Sequence, residues 1–193
     1  MGRPAAFQPH KLFVAALLAP EPGVVAVRNL VESRFGPIDD ELAPHPFTFS
    51  DYYHAEMGPS LERALFSIGP LVDPAGLAGF KEEANALESE TAAGPASPSR
   101  PPSADARRVN LDPGLLSLSR VVLASTKASA HRVPLRDGLY AEITLLYRRG
   151  RYRPLEWTYP DYQSDRFVEW LARVRARYHE QLRSIDPDRA WRL

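Results

Sequence analysis

The apolar run from Leu12 to Ala19 is continuous rather than alternating, and it ends at Pro20-Glu21-Pro22. A short uninterrupted apolar stretch closed by turn residues is the pattern of a buried strand. Val27, Leu30, Val31 and Phe35 then recur at helical spacing and stop at Gly36-Pro37, where glycine closes a helix that proline cannot continue. Phe47-Thr48-Phe49 alternates, and Leu61 to Ile68 is apolar up to Gly69-Pro70, which predicts two strands flanking Tyr52-Tyr53. Leu77, Phe80, Ala84 and Leu87 predict a helix between Pro74 and Thr91, and Arg107 to Leu111 reads as another strand. Strand, helix, strand, strand, helix, strand is the βαββαβ order of a ferredoxin-like unit.

In the second half, Asp112-Pro113 has the form of an N-cap followed by proline in the first turn, and Leu115, Leu118, Val121 and Val122 fit a helix reaching Thr126. A strand at Val121-Val122-Leu123 stays open as the alternative. Val133 to Leu146 reads as paired strands across Arg136-Asp137-Gly138, and Tyr147 to Arg153 as a hairpin turning at Arg149-Gly150. Phe167, Trp170, Leu171, Val174 and Tyr178 fall on one helical stripe, with Arg173, Arg175, Arg177 and Glu180 mostly on the other. The expected fold is therefore α+β, with a ferredoxin-like βαββαβ core, a mostly antiparallel sheet, C-terminal β-hairpins and a packed C-terminal helix, forming one domain over residues 11–183. Residues 92–106 hold almost only Ala, Pro, Ser and Gly. They cannot bury enough apolar surface to offset the entropy of ordering, so they are expected to be a disordered loop inserted within that domain.

Composition narrows the chemistry. Lys+Arg and Asp+Glu both number 24, so no overall field draws the chain onto nucleic acid or an anionic membrane. The absence of cysteine excludes disulfides, thiolate nucleophiles, iron-sulfur clusters and cysteine zinc sites. The longest apolar run is far short of the roughly 20 residues a membrane helix needs, so no membrane span and a cytoplasmic location are expected. Phosphate-loop, dinucleotide-binding, zinc-protease and serine-hydrolase fingerprints are all missing.

What remains is a set of short islands that pair reactive groups with geometry-fixing Pro, Gly or aromatic residues. Tyr52 and Tyr53, beside Asp51 and ahead of Glu56, offer rings for stacking and polar atoms, although adjacent tyrosines on a strand face opposite ways. Arg108, Asn110 and Asp112 alternate and would share one strand face, while Asp112 also suits a helix cap and Asn110 a turn brace. Lys127, His131 and Arg132 can surround a phosphate or carboxylate, or Lys127 and His131 can simply offset a helix C-terminus. Glu142 reads as a surface carboxylate that can pair with Arg132 or a metal, and Tyr159, Asp161 and Tyr162 form the last island. Glu56, Asp112, Glu142 and Asp161 allow a carboxylate metal site but do not indicate one, and no cofactor is identified.

The runs Lys11-Leu12-Phe13-Val14-Ala15, Phe35-Gly36-Pro37-Ile38-Asp39, Phe47-Thr48-Phe49-x-Asp51-Tyr52-Tyr53-x-x-Glu56-Met57-Gly58 and Val109-Asn110-Leu111-Asp112-Pro113-Gly114 occur in that order. Ala124-Ser125-Thr126-Lys127, His131-Arg132-Val133, Tyr140-Ala141-Glu142-Ile143-Thr144 and Trp157-Thr158-Tyr159-Pro160-Asp161-Tyr162 follow. Together, from about Lys11 to Leu182, they resemble the bacterial domain-of-unknown-function family numbered 4416, with a longer and more proline-rich stretch at 92–106. The resemblance implies no activity, cofactor or site residue, so the islands stand on their own chemistry.

The expected function is binding of an anionic small molecule, a nucleotide or phosphorylated metabolite, in one polar cleft. As an enzyme, the protein would use His131 as acid or base, Lys127 and Arg132 to stabilise developing negative charge, and Glu56 or Asp112 to orient the imidazole. The competing expectation is a non-catalytic RNA- or protein-interaction module working through the Arg148–Arg153 hairpin and the C-terminal helix. Convergence of the islands would favour the cleft.

Overall fold

The structure is a computed structural model that describes residues 5–92 and 107–187. Among the described residues eight strands form one sheet: β1 (His10–Leu18), β2 (Ile38–Pro46), β3 (Glu62–Val72), β4 (Val109–Leu116), β5 (Arg120–Ser125), β6 (Val133–Arg136), β7 (Leu139–Arg148) and β8 (Arg151–Pro154). Their order is β2-β3-β1-β4-β5-β7-β6, with β8 also paired to β7, and every pairing is antiparallel. The helices are α1 (Val24–Phe35), the single turn α2 (His54–Met57), α3 (Leu77–Ala92) and α4 (Asp165–Ile185).

The uninterrupted apolar character of β1 from Leu12 onward follows from its place near the middle of the sheet. Leu12, Val14, Ala16 and Leu18 face α1 and α3, where they join Val27, Val31, Ala84 and Leu87 in one core. Phe13 and Ala15 face the other way, into a second core closed by Phe167, Trp170, Leu171, Val174 and Tyr178 of α4. Helices on both faces make a three-layered arrangement that leaves β1 no polar side. Trp170 is fully buried, edge-on to Phe13 at 5.9 Å between ring centroids and to Phe167 at 6.2 Å. The second predicted hairpin turns at Arg149 and Gly150, whose φ of 51° and 82° provide the left-handed pair that a two-residue turn needs.

Three expectations are corrected. The strand expected at Phe47–Phe49 lies earlier, at Ile38–Pro46, because an edge strand paired only with β3 tolerates the polar, proline-containing sequence IDDELAPHP. The helix expected after Asp112-Pro113 does not form; the segment makes β4 and β5, whose two-sided burial imitates helical spacing over so short a run. The sheet as a whole is larger than a four-stranded ferredoxin-like unit, since β4 is an inner strand and the sheet continues through β5, β7 and β6. Of the expected 92–106 loop only Ala92, the last residue of α3, is described, and 93–106 lies outside the described residues. Among the described residues no helix is long and apolar enough to cross a membrane.

Gly114 marks where the sheet is packed most tightly. A Cβ placed there would overlap the ring of Phe13 and the side chain of Leu123. Gly114→Ala is therefore expected to cost about 1–3 kcal/mol through overpacking, read as a lower urea midpoint at unchanged slope. An unchanged midpoint would mean that the Phe13 ring has room to move.

Candidate functional site

The site begins with a parting of two neighbouring strands. β4 and β5 pair only from Gly114↔Leu123 to Leu116↔Val121, and the next residue back along β4 is Pro113, which has no N–H to give. Leu111, two residues earlier, presents its main chain to the same side. Its N–H donates to Glu88 Oε1 at 2.7 Å, and its carbonyl accepts from Lys81 Nζ at 2.7 Å. Two side chains of α3 thus replace the β5 backbone that the parting removes, as a buried main chain requires.

Beyond the split lies a cavity of about 400 Å³, within the range of small-molecule sites. On its β4 wall, Asn110 Nδ2 donates to Asp112 Oδ2 at 2.7 Å, and Lys81 reaches Asp112 Oδ1 at 3.2 Å. Burial pushes the Asp112 carboxyl up, but the charges of Lys81 and Arg63 and the hydrogen bonds from Lys81 and Asn110 outweigh it and hold the group below its usual value. Arg107 braces this wall. Its Nε and Nη2 grip Glu56 at 2.6 and 2.8 Å, while Nη1 reaches Glu88 at 2.9 Å and Asn110 Oδ1 at 3.1 Å.

The floor is an ion pair. Arg63 Nη2 donates to Asp161 Oδ2 at 2.7 Å, with both side chains almost fully buried. Burial raises the Asp161 carboxyl above its usual value despite the guanidinium beside it. The Arg63 guanidinium lies 5.2 Å from the centre of the Phe47 ring, and its Nε and Nη1 have no hydrogen-bond partner among the described residues. The buried hydroxyl of Tyr162, also on the cavity wall, has none either.

The mouth is built from loops. Lys127 Nζ donates to the Tyr52 hydroxyl at 3.0 Å and sits 4.1 Å from the centre of that ring. The hydrogen bond and charge of Lys127 lower the Tyr52 phenol below its ordinary value. Arg132 Nε donates to buried Glu142 at 2.6 Å and its Nη2 to the Tyr159 hydroxyl at 3.2 Å. His131 stacks on Trp157 at 4.9 Å and meets Glu142 at 3.1 Å from outside the cavity wall. Among the described residues no cluster of three or more His, Asp or Glu is placed to hold a metal.

The family model described as Domain of unknown function (DUF4416) matches residues 8–178. The chain belongs to that family. No curated protein and no solved structure matches it.

In this DUF4416 chain the four sequence islands meet at one cavity. Tyr52, Tyr53, Asn110, Asp112, Lys127 and Arg132 line it, as do Glu142, Tyr159, Asp161 and Tyr162. Three candidates fall outside the wall: Glu56 lies behind Arg107, His131 lies behind Glu142, and Arg108 approaches Glu21 at 4.0 Å. Asp112 is not a helix cap, because no helix follows it and Lys81 and Asn110 occupy its oxygens. Glu142 is not a surface carboxylate; it is 3% exposed, covered by Arg132 and His131, which both reach its Oε2, and by the Thr144 hydroxyl at Oε1. Lys127 and His131 share a loop rather than a helix face. Sequence reasoning missed Arg63, Lys81 and Glu88. Their signal was present: Arg63 shares the inward parity of Leu65, and Lys81 and Glu88 interrupt the apolar stripe of α3.

Two predictions follow from this geometry. Arg63→Met leaves Asp161 buried without its cation and is expected to cost about 3–5 kcal/mol, much of it recovered in Arg63→Met/Asp161→Leu; chemical denaturation of the three proteins checks this, and a neutral single variant would contradict a buried pair. Lys127→Ala should raise the Tyr52 phenol back towards its ordinary value of about 10. Carbon NMR of ring-labelled tyrosine reads that titration, and an unmoved Tyr52 resonance would exclude the contact.

Proposed function

We propose that the cavity binds an anionic small molecule carrying a flat ring, a nucleotide or phosphorylated metabolite. The observation that carries this reading is the composition of the wall. Five cations, Arg63, Lys81, Arg107, Lys127 and Arg132, face three carboxylates, Asp112, Glu142 and Asp161, among six aromatic rings. Lys127 has no carboxylate partner among the described residues, so it is the cation left for a ligand anion. Rings supply a stacking surface that suits planar groups, and a cation at the mouth supplies charge complementarity.

The reading supposes a ferredoxin-like first half as its scaffold, supported by β1 lying between β3 and β4 with α1 and α3 on one face. It leaves His131 outside the reacting volume, so binding rather than acid-base catalysis by that imidazole is what the site supports. The interaction-module alternative is weaker. Tyr152 is buried with its hydroxyl on the Ser117 carbonyl, and Tyr147 packs against Arg175 at 3.7 Å, so neither tyrosine is presented for base stacking beside the exposed hairpin arginines.

A thermal-shift series with nucleotides, sugar phosphates and short RNA, each at low and moderate salt, tests the proposal. A ligand at a hundred times its Kd adds about 2.7 kcal/mol of stability, so a salt-tolerant upward shift from a small phosphorylated compound, reduced in Lys127→Ala, is expected. A shift from RNA alone, abolished by salt, would move the function to the arginine hairpin.

A further inference from the structure

We infer that the protein carries a second anion-binding surface, separate from the cavity and independent of its reading, on one face of the sheet where β5, β7 and β8 end, and that this surface takes the phosphate backbone of a nucleic-acid duplex without regard to sequence.

Strand register builds the surface. Arg120 of β5 pairs with Leu146 of β7, which pairs in turn with Arg153 of β8, and two residues further along the hairpin Arg148 pairs with Arg151. Partners across an antiparallel ladder project to the same side, and so do residues two apart on one strand. Leu145, Tyr147 and Tyr152 take the other side, in the core closed by α4. Arg120, Arg148, Arg151 and Arg153 therefore project together from the opposite side, all four exposed, with Arg149 at the tip of the turn.

The charge of this face is uncompensated. Arg28, Arg34, Arg63, Arg107, Arg132 and Arg173 each meet a carboxylate at 3.3 Å or closer. Arg120, Arg148, Arg149 and Arg153 meet none among the described residues, and Arg151 reaches only Asp165, at 3.5 Å, whose side chain is 86% exposed. In a chain with 24 basic and 24 acidic residues this is a local excess. Arg148 opposite Arg151 also sets like charges across one pair, which disfavours the hairpin itself and is relieved by a bound polyanion.

The shape and chemistry of the face select the partner. Neighbouring strands stand about 4.8 Å apart, so Arg120 and Arg153, two strands apart, start roughly 10 Å from one another on an open surface that cannot enclose a small ion. Repeated charges fit it better, and guanidinium forks match phosphate oxygens. Single strands are held largely by stacking, but Tyr147 lies against Arg175 at 3.7 Å and Tyr152 is buried, so no ring stands among these arginines. A duplex needs no ring, and its two backbones give the denser line of charge. A protein partner calls for an apolar or aromatic centre, and only half-buried Leu146 lies between the arginines. Stable attachment to a bilayer wants an apolar anchor beside the charge, whereas the tip of this hairpin is Arg149-Gly150.

Fluorescence anisotropy of the full chain with a short labelled duplex of mixed sequence, and with either of its strands alone, tests this. The duplex should bind tighter than the strand, and about four phosphate contacts should weaken it on the order of a hundredfold between about 50 and 200 mM salt. Arg120→Gln/Arg153→Gln should bind more weakly and reduce that salt dependence to about tenfold, since each lost contact lowers the slope by about one. Arg148→Gln should also bind more weakly while its urea midpoint stays level or rises, because a like-charge pair is gone, so lost binding there is not lost folding. Lys127→Ala should bind the duplex as the parent does, which separates this surface from the cavity. Duplex affinity unchanged in Arg120→Gln/Arg153→Gln, tighter binding of the single strand, or loss of the duplex in Lys127→Ala would overturn the inference. So would equal binding of polyglutamate or of anionic phosphatidylserine vesicles, which would give the surface to an acidic protein or a membrane.

Discussion

The parting of β4 from β5 at Pro113 is the constraint on which the rest of the site depends. An antiparallel ladder that stops inside a sheet leaves donors and acceptors away from water, and each must find a partner. Here the main chain of Leu111 finds Glu88 and Lys81. Because these partners are side chains reaching from α3 rather than another strand, the sheet gains an opening without losing its hydrogen bonds. Asn110 and Asp112 on one side, and Ala124 to Lys127 on the other, become walls.

Once Lys81 and Glu88 are buried, their charges demand further company. Glu88 takes Arg107 at 2.9 Å, Arg107 takes Glu56 in a two-pronged grip, and Lys81 takes Asp112, which takes Asn110. A buried polar network is worth having only when its members are satisfied, and this one runs unbroken from the short α2 turn to α3 and β4. It adds a polar tie between residues 47–58 and the sheet, beside the apolar packing of Phe47 and Met57 on Leu17 and Leu61, and Tyr52 and Tyr53 thereby stand opposite Lys127 and Tyr159. The mouth is therefore held both by this network and by the apolar cluster beneath it.

Much of this was legible along the chain and some was not, for identifiable reasons. The buried β1, the helices α1, α3 and α4 and both C-terminal hairpins carry their own periodicity and punctuation, so local pattern was sufficient. At Asp112-Pro113 the local signal was strong and misleading: the pair that opens helices elsewhere here ends a ladder, and it is pairing with β1, Ala15 opposite Asp112, that keeps it extended, with Lys81 reaching its carboxylate from 31 residues away. β2 was misplaced because an edge strand needs no alternation. The islands were legible as chemistry, since their residues are too reactive and too geometrically fixed for ordinary loops. Their anchors, Arg63, Lys81 and Glu88, sit inside regular elements and show only as charges on apolar faces.

The division between anchor and mouth bears on how the cavity discriminates. Arg63, Asp161, Asp112 and Lys81 stand on or beside strands and one long helix, locked by mutual contacts, so their donors and acceptors cannot rearrange to suit a ligand. Lys127, Tyr52, Tyr159 and Phe49 stand on loops and are substantially exposed, and long or aromatic side chains there can follow a ligand's outer part at small cost. Selectivity in such a site comes from the rigid end, where a mismatched donor leaves a buried group unsatisfied. The mouth adds affinity for charge through Lys127, and a single such contact depends on salt far less steeply than the many phosphate contacts of a nucleic acid.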